Sequence, residues 1–271
     1  MNRILALAIL TFKEGIRDRA LFGITIIALM MFLTTIVITN LFGYELGKVM
    51  VDLNLSTIAF AGLLLTFFVN INLMAKDIDK RTVYCVLSKP ISRSEYILGK
   101  YIGLILLIFV SLSFLALFSA GVSFLIKASY PPIYFRDFSW LCYLQAFGYE
   151  LMMFLVLNAI VIFFSSITTS SFLTLLFSVA TYITGQTIEE VMQFFKKEVL
   201  QSGVSSAINQ NIVEAAQYIF PNLSAFDIKT LASHGKLLAT GHTLAVLSYS
   251  LIYTILLLFL ASLIFNRREF N

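Results

Sequence analysis

Six stretches of this 271-residue sequence stay apolar long enough to cross a lipid bilayer, and that property excludes most folds. Hydrocarbon offers no hydrogen bonds, so a spanning segment must pair its own backbone, which a helix of about 20 mainly apolar residues does. The stretches are 21–43, 53–75, 101–126, 141–166, 168–188 and 243–265. The fifth has the shortest strictly apolar part, Ser171 to Gly185, and Gly185 reads either as a break or as a residue passing the outer headgroups. The expected fold is therefore an all-α integral membrane domain spanning 1–271, with six transmembrane helices.

Charge supports this reading and gives it an orientation. Only 13% of the residues are charged, against about 25% in soluble domains. The net charge of +4 does not point to nucleic acid, because the cations lie mostly between the apolar runs. Twelve of the 19 Lys and Arg fall on one side: Arg3, Lys13, Arg17 and Arg19, then six between Lys76 and Lys100, then Arg267 and Arg268. The other side holds Lys48, Lys127 and Arg136, plus four in one long loop, where charge has little orienting weight. Both termini are expected in the cytosol of a multi-pass plasma (inner) membrane protein.

The connections carry structure of their own. Residues 1–20 read as an interfacial helix, with Leu5, Ile9, Phe12 and Ile16 on one face and Arg3, Lys13, Glu14 and Arg17 on the other. Leu7 and Leu10 fall on the polar side of that wheel. The stretch Ile4 to Phe12 runs into charged residues rather than a small-residue cleavage site, so it does not read as a signal peptide. The outer segment 189–242 is too long for a simple connector. It shows one helical pattern from Ile188 to Val199 and a second from Ile208 to Ile219, ended by Pro221, and reads as a small helical cap or a pair of half-inserted helices.

The cytosolic connection 76–100 is the most informative. Val83, Val86 and Leu87 give a short helix one apolar face, and Pro90 disfavours helical geometry at Lys89 and so ends it. A short amphipathic helix between charged anchors suits a protein groove; the alternative is a basic loop pinned to lipid headgroups. Here the sequence resembles the permease subunits of type-2 ABC exporters. Their pattern after the second span is acidic-x-acidic, Gly-Thr, a short helix, Pro-x-x-Arg and, six residues on, Gly-Lys. Asp77, Asp79, Thr82, Pro90, Arg93 and Gly99-Lys100 match it, while Arg81 replaces the usual glycine. The N-terminal helix, the tail Arg267-Arg268-Glu269-Phe270 and Phe220-Pro221-Asn222-Leu223 before the last span agree with the same layout.

The resemblance implies that Thr82 to Lys89 is a coupling helix docking on a separate ATPase subunit, with Asp77, Asp79, Thr82, Val83, Val86, Leu87, Pro90 and Arg93 at the contact. It also implies two ATPases and two permeases, as a homodimer or a pair with a related permease. No GxxxxGK[ST] phosphate loop is present, so ATP and Mg belong to the partner. No cofactor is expected in the chain itself.

Polar residues in the spans supply candidates for a substrate path. Glu150 lies nine residues into the fourth span, a depth at which a carboxylate usually faces a bundle interior or a water-filled cavity. It reads as a path or gating residue, or as a buried group that joins two helices. Asn70, Asn72 and Asn158 are weaker candidates, since interhelical hydrogen bonds explain asparagines in spans. His234 and His242 lack companion ligands for a metal, and Cys85 and Cys142 form neither a zinc motif nor a disulfide framework.

Other functions fit less well. A secondary transporter more often carries several intramembrane charges and broken helices, and a membrane scaffold remains an alternative. An intramembrane protease needs a Gly-x-Ser-Gly-like turn with a membrane histidine, or HExxH, and the sequence has neither. The long outer segment is also a candidate to meet a periplasmic partner.

Overall fold

The computed structural model describes residues 2–39, 45–74, 91–202 and 220–267, and among these it is helical without strands. Helix α1 (Asn2–Ile16) precedes the first span, α2 (Arg19–Thr39). The second span covers Leu46–Met74 as α3 (Leu46–Leu64) followed by a π-helical stretch, Leu65–Asn70. Then come α4 (Arg93–Ser129), α5 (Trp140–Ile167) and α6 (Ser171–Ser202). A five-residue helix α7 (Lys229–Ser233) leads to the last span, α8 (Thr240–Arg267). Six of these helices are long and apolar enough to cross a membrane.

Burial sorts the spans into two kinds. In the most apolar window of the second span 72% of residues are buried, and in that of α5 67%, whereas in α2 only 22% are. The second span and α5 therefore form the centre, and the outer helices keep most of their surface for lipid. Because lipid is as apolar as leucine, close packing rather than the hydrophobic effect must join such helices. Gly62 shows how tight this is: a Cβ there would sit 2.2 Å from the ring of the buried Phe154.

Two spans begin earlier than their hydropathy suggests. The third helix starts at Arg93 rather than at residue 101, so the last part of the connection 76–100 is helical. A capping box sets that start: the Ser92 hydroxyl accepts from the Glu95 N–H at 3.2 Å, and the Glu95 carboxylate accepts from the Ser92 N–H at 2.7 Å. The second span starts at Leu46 rather than 53, because the polar residues Lys48 and Asp52 are compatible with a helix that protrudes from the lipid.

Helix α1 forms where the interfacial helix was expected, but it buries a different face. Leu5 is 60% exposed and Leu7 only 5%, and Ala8, Thr11 and Gly15 are buried with Leu7. The buried face packs on α4, where Gly99 and Gly103 form a small-xxx-small step. A Cβ on Gly103 would meet the Ala8 carbonyl oxygen at 2.6 Å. A helix between protein and lipid needs two apolar faces, and a one-face reading selects only the lipid-directed one.

Nor does the fifth span end at 188. Helix α6 runs through Gly185 without a break, to Ser202, and absorbs the pattern from Ile188 to Val199. The second pattern, Ile208 to Ile219, lies outside the described residues. From Phe220 onward the outer segment folds back into the bundle. The Leu223 N–H donates to the Gly185 carbonyl at 2.9 Å, and Leu223, Phe226, Ile228 and Ala232 are buried. Gly185 is where this return docks, since a Cβ there would meet the Pro221 carbonyl oxygen at 2.6 Å.

The return closes with Gly235, whose φ is +67° and where a Cβ would lie 2.0 Å from the Asp137 carbonyl oxygen. Both strain and overlap oppose any side chain there. Gly235→Ala should lower the melting temperature, with a cost on the order of 1–3 kcal/mol. Gly241→Ala, with nothing within 4 Å of the new carbon, should not lower it. Equal melting temperatures for the two variants would contradict this account of the outer return.

Candidate functional site

Four polar clusters lie along the bundle among the described residues. At the end where α1 meets α4, residues Asp77, Asp79, Thr82, Val83, Val86, Leu87 and Pro90 lie outside the described residues, but both ends of that connection are described. Arg93, expected at an ATPase contact, has its guanidinium Nη1 donating to the carbonyls of Phe265 and Asn266, each at 3.1 Å. Both carbonyls lie near the described C-terminal end of α8, where a cation suits the helix dipole. Ser262 donates to Ser94 at 2.8 Å, and Tyr96 stacks on Phe265 with ring centroids 5.7 Å apart. Seven residues on, the buried Lys100 Nζ donates to the Leu73 carbonyl at 2.9 Å and lies 3.8 Å from a Glu14 carboxylate oxygen.

Near the middle of the bundle, Asn70 Nδ2 donates to Asn158 Oδ1 at 2.9 Å, and both residues are fully buried. Asn70 closes the π-helical stretch Leu65–Asn70. Such stretches shift the register of the residues that follow, and they recur at functional positions. The third asparagine, Asn72, is exposed and stands apart from this pair. The structure therefore brings together two of the three asparagine candidates.

Glu150 sits nearer the N-terminal end of α5. It is 4% exposed, and among the described residues neither carboxylate oxygen has a hydrogen-bond partner. Lys229 and Asp227 on the outer return interact with it electrostatically without reaching it. The same region contains two further polar pairs. Asn54 Nδ2 donates to Ser123 at 2.9 Å, and the Ser119 and Tyr143 hydroxyls share a 2.5 Å bond. In this group both Glu150 oxygens and the Asn54 Oδ1 go unmatched among the described residues.

At the outer rim, α5 holds the returning chain. Gln145 Nε2 donates to the Leu238 carbonyl at 3.1 Å, while its Oε1 accepts from the Leu238 N–H at 3.1 Å. One turn on, the Tyr149 hydroxyl reaches Thr243 and His242 Nδ1, both at 3.2 Å. The two histidines thus have separate surroundings: His234 Nδ1 lies 2.7 Å from the Thr230 carbonyl.

The sequence reading missed several of these residues. Gly99 and Gly103 were legible as a small-xxx-small step inside an apolar run, and Ser92-x-x-Glu95 as a capping box. No sequence signal marked Gln145, whose partners are the Leu238 main chain 93 positions away and the Thr243 hydroxyl 98 positions away.

A bundle of six apolar helices long enough to cross a bilayer defines a multi-pass membrane protein. The chain belongs to the family described as ABC-2 family transporter protein, which it matches over residues 5–270. It is thus a membrane permease of an ABC transporter, from a family without a nucleotide-binding domain of its own and implying an ATPase partner. No curated protein matches the sequence.

Proposed function

We propose that this chain is the permease subunit of an ATP-driven exporter, coupling hydrolysis on a separate ATPase to movement of a substrate across the plasma (inner) membrane. The family match over nearly the whole chain carries the reading. ATP and Mg reside on the partner, in keeping with a sequence that has no phosphate loop. Both termini are cytosolic, by the excess of Lys and Arg on that side. The working unit is two permeases with two ATPases, and the two permeases are copies of this chain. The ATPase contact lies in the docking element of the connection 76–100, formed by Asp77, Asp79, Thr82, Val83, Val86, Leu87 and Pro90. Arg93 supports it from the first turn of α4.

Glu150, Asn158, Asn70 and Asn72 are the polar residues available to a substrate path. Glu150 fits a gating role best, since a buried carboxylate without partners is kept at a cost to stability. The outer segment is the surface available to a periplasmic partner. Changing Val83, Val86 and Leu87 together to Asp should abolish co-purification with the ATPase while the chain still inserts and melts as the wild type does. Unchanged co-purification would remove the docking helix from this reading.

A further inference from the structure

We propose that Lys100 is a positioning residue that passes movement of the docking loop into the bundle, by tying the loop's starting point to α1 and α4. This rests on the reading of Asp77 to Pro90 as the ATPase contact and names a residue beyond that contact that makes it mechanical. The argument begins with cost. An ammonium group that is 3% exposed has lost nearly all its water, and burial of that kind is expensive unless strong partners replace it. Its neighbours on α4, Tyr96, Ile97, Gly99, Gly103 and Leu104, are buried as well, and a methionine would fill the same space without that cost. Stability alone therefore does not account for a cation here.

What the cation adds is direction. Among the described residues its nitrogen joins three elements: the Leu73 carbonyl at 2.9 Å, the Glu14 carboxylate at 3.8 Å, and α4, which carries it. Leu73 lies three residues before the connection 76–100 and is the last but one described residue of the second span.

The connection's other end is tied differently. Arg93 is half-buried and holds the last turn of α8 at the rim, where water competes for its donors. Exposed charged contacts are screened, while buried ones keep their strength. A push on the connection therefore meets a buried hydrogen bond at Lys100, from its nitrogen to the Leu73 carbonyl, and half-buried ones at Arg93. Movement passes more firmly into the second span and α4 than into α8.

The test uses the wild-type chain with its co-purified ATPase in lipid nanodiscs, beside Lys100→Met and Lys100→Arg. Hydrogen exchange of outer residues 229–243 is followed with and without Mg-ATP and vanadate, together with ATP hydrolysis. In the wild type, nucleotide should change outer exchange. In Lys100→Met the ATPase should still co-purify and hydrolyse within about twofold, while the outer response falls at least about threefold, as expected when coupling between two sites is cut. Lys100→Arg, which keeps charge and donors, should restore the response.

A full outer response in Lys100→Met overturns the role of Lys100 and leaves the docking reading intact. If that variant does not assemble, Glu14→Lys carries the test from a half-exposed position by placing a second cation against Lys100. A reduced response there supports the tie, and a wild-type response overturns it. A wild-type chain that binds no ATPase, or whose outer exchange ignores nucleotide, overturns the docking reading and this inference with it.

Discussion

Gly103→Leu should detach α1 from α4. A Cβ at this position would lie 2.6 Å from the Ala8 carbonyl oxygen and 2.7 Å from the Thr11 Cβ, and both atoms belong to a rigid helix. Unlike the leucine tips that face Gly15 and Gly99, backbone cannot rotate away. Overpacking of this kind costs on the order of 1–3 kcal/mol, and more where a whole helix must move. The melting temperature of the purified protein should fall. Trypsin should cut after Lys13 and Arg17 faster by about tenfold, because cleavage follows the population of the open form. Gly121→Leu, on the same helix with nothing within 4 Å, is the matched control and should behave as wild type. Wild-type melting and cleavage in Gly103→Leu would mean that α1 is not seated on α4.

Glu150→Leu should make the protein more stable and its transport cycle worse. Two buried oxygens without partners carry an unmet desolvation cost, and an apolar side chain of similar size removes both. Each unsatisfied group costs about 1–3 kcal/mol, so the gain in stability should be of that order and visible as a higher melting temperature. Glu150→Gln, which keeps polar atoms in the same place, should gain less. If Glu150 gates the path, ATP turnover by the assembled complex should fall in both variants, in the trade of activity against stability common at functional sites. A Leu variant that is more stable and turns over ATP normally would leave Glu150 without a part in transport. One that is less stable would show that the carboxylate has a structural partner.

The sequence revealed the number of spans because apolar run length is a property of single segments. It placed Glu150 within the fourth apolar run for the same reason. Helix starts were less legible, since hydropathy locates the hydrocarbon boundary while caps locate the helix boundary. At Ser92 these differ by about two turns, and the capping box there decides the outcome. The face of α1 was misread because amphipathic analysis assumes one apolar side, and Leu7 belongs to a second. Pairings across distant segments were not legible at all. Asn70 and Asn158 each look like an ordinary span asparagine, and only the fold shows that they meet, 88 positions apart. The docking residues from Asp77 to Pro90 rest on sequence pattern and on family membership.

The narrow contact of α2 has a consequence for how the molecule responds to its surroundings. Ile24, Ala28, Phe32, Thr35 and Thr39 are buried against the bundle, Ala20, Leu21, Leu29 and Ile36 are partly buried beside them, and much of the remaining helix surface is exposed. Its 21 residues span about 31 Å at 1.5 Å per residue, close to the hydrocarbon thickness of about 30 Å. With little protein to hold its height, α2 takes its tilt from the bilayer. A thinner or thicker membrane should shift it before any other span, so that lipid chain length becomes a regulator of how the bundle is held together.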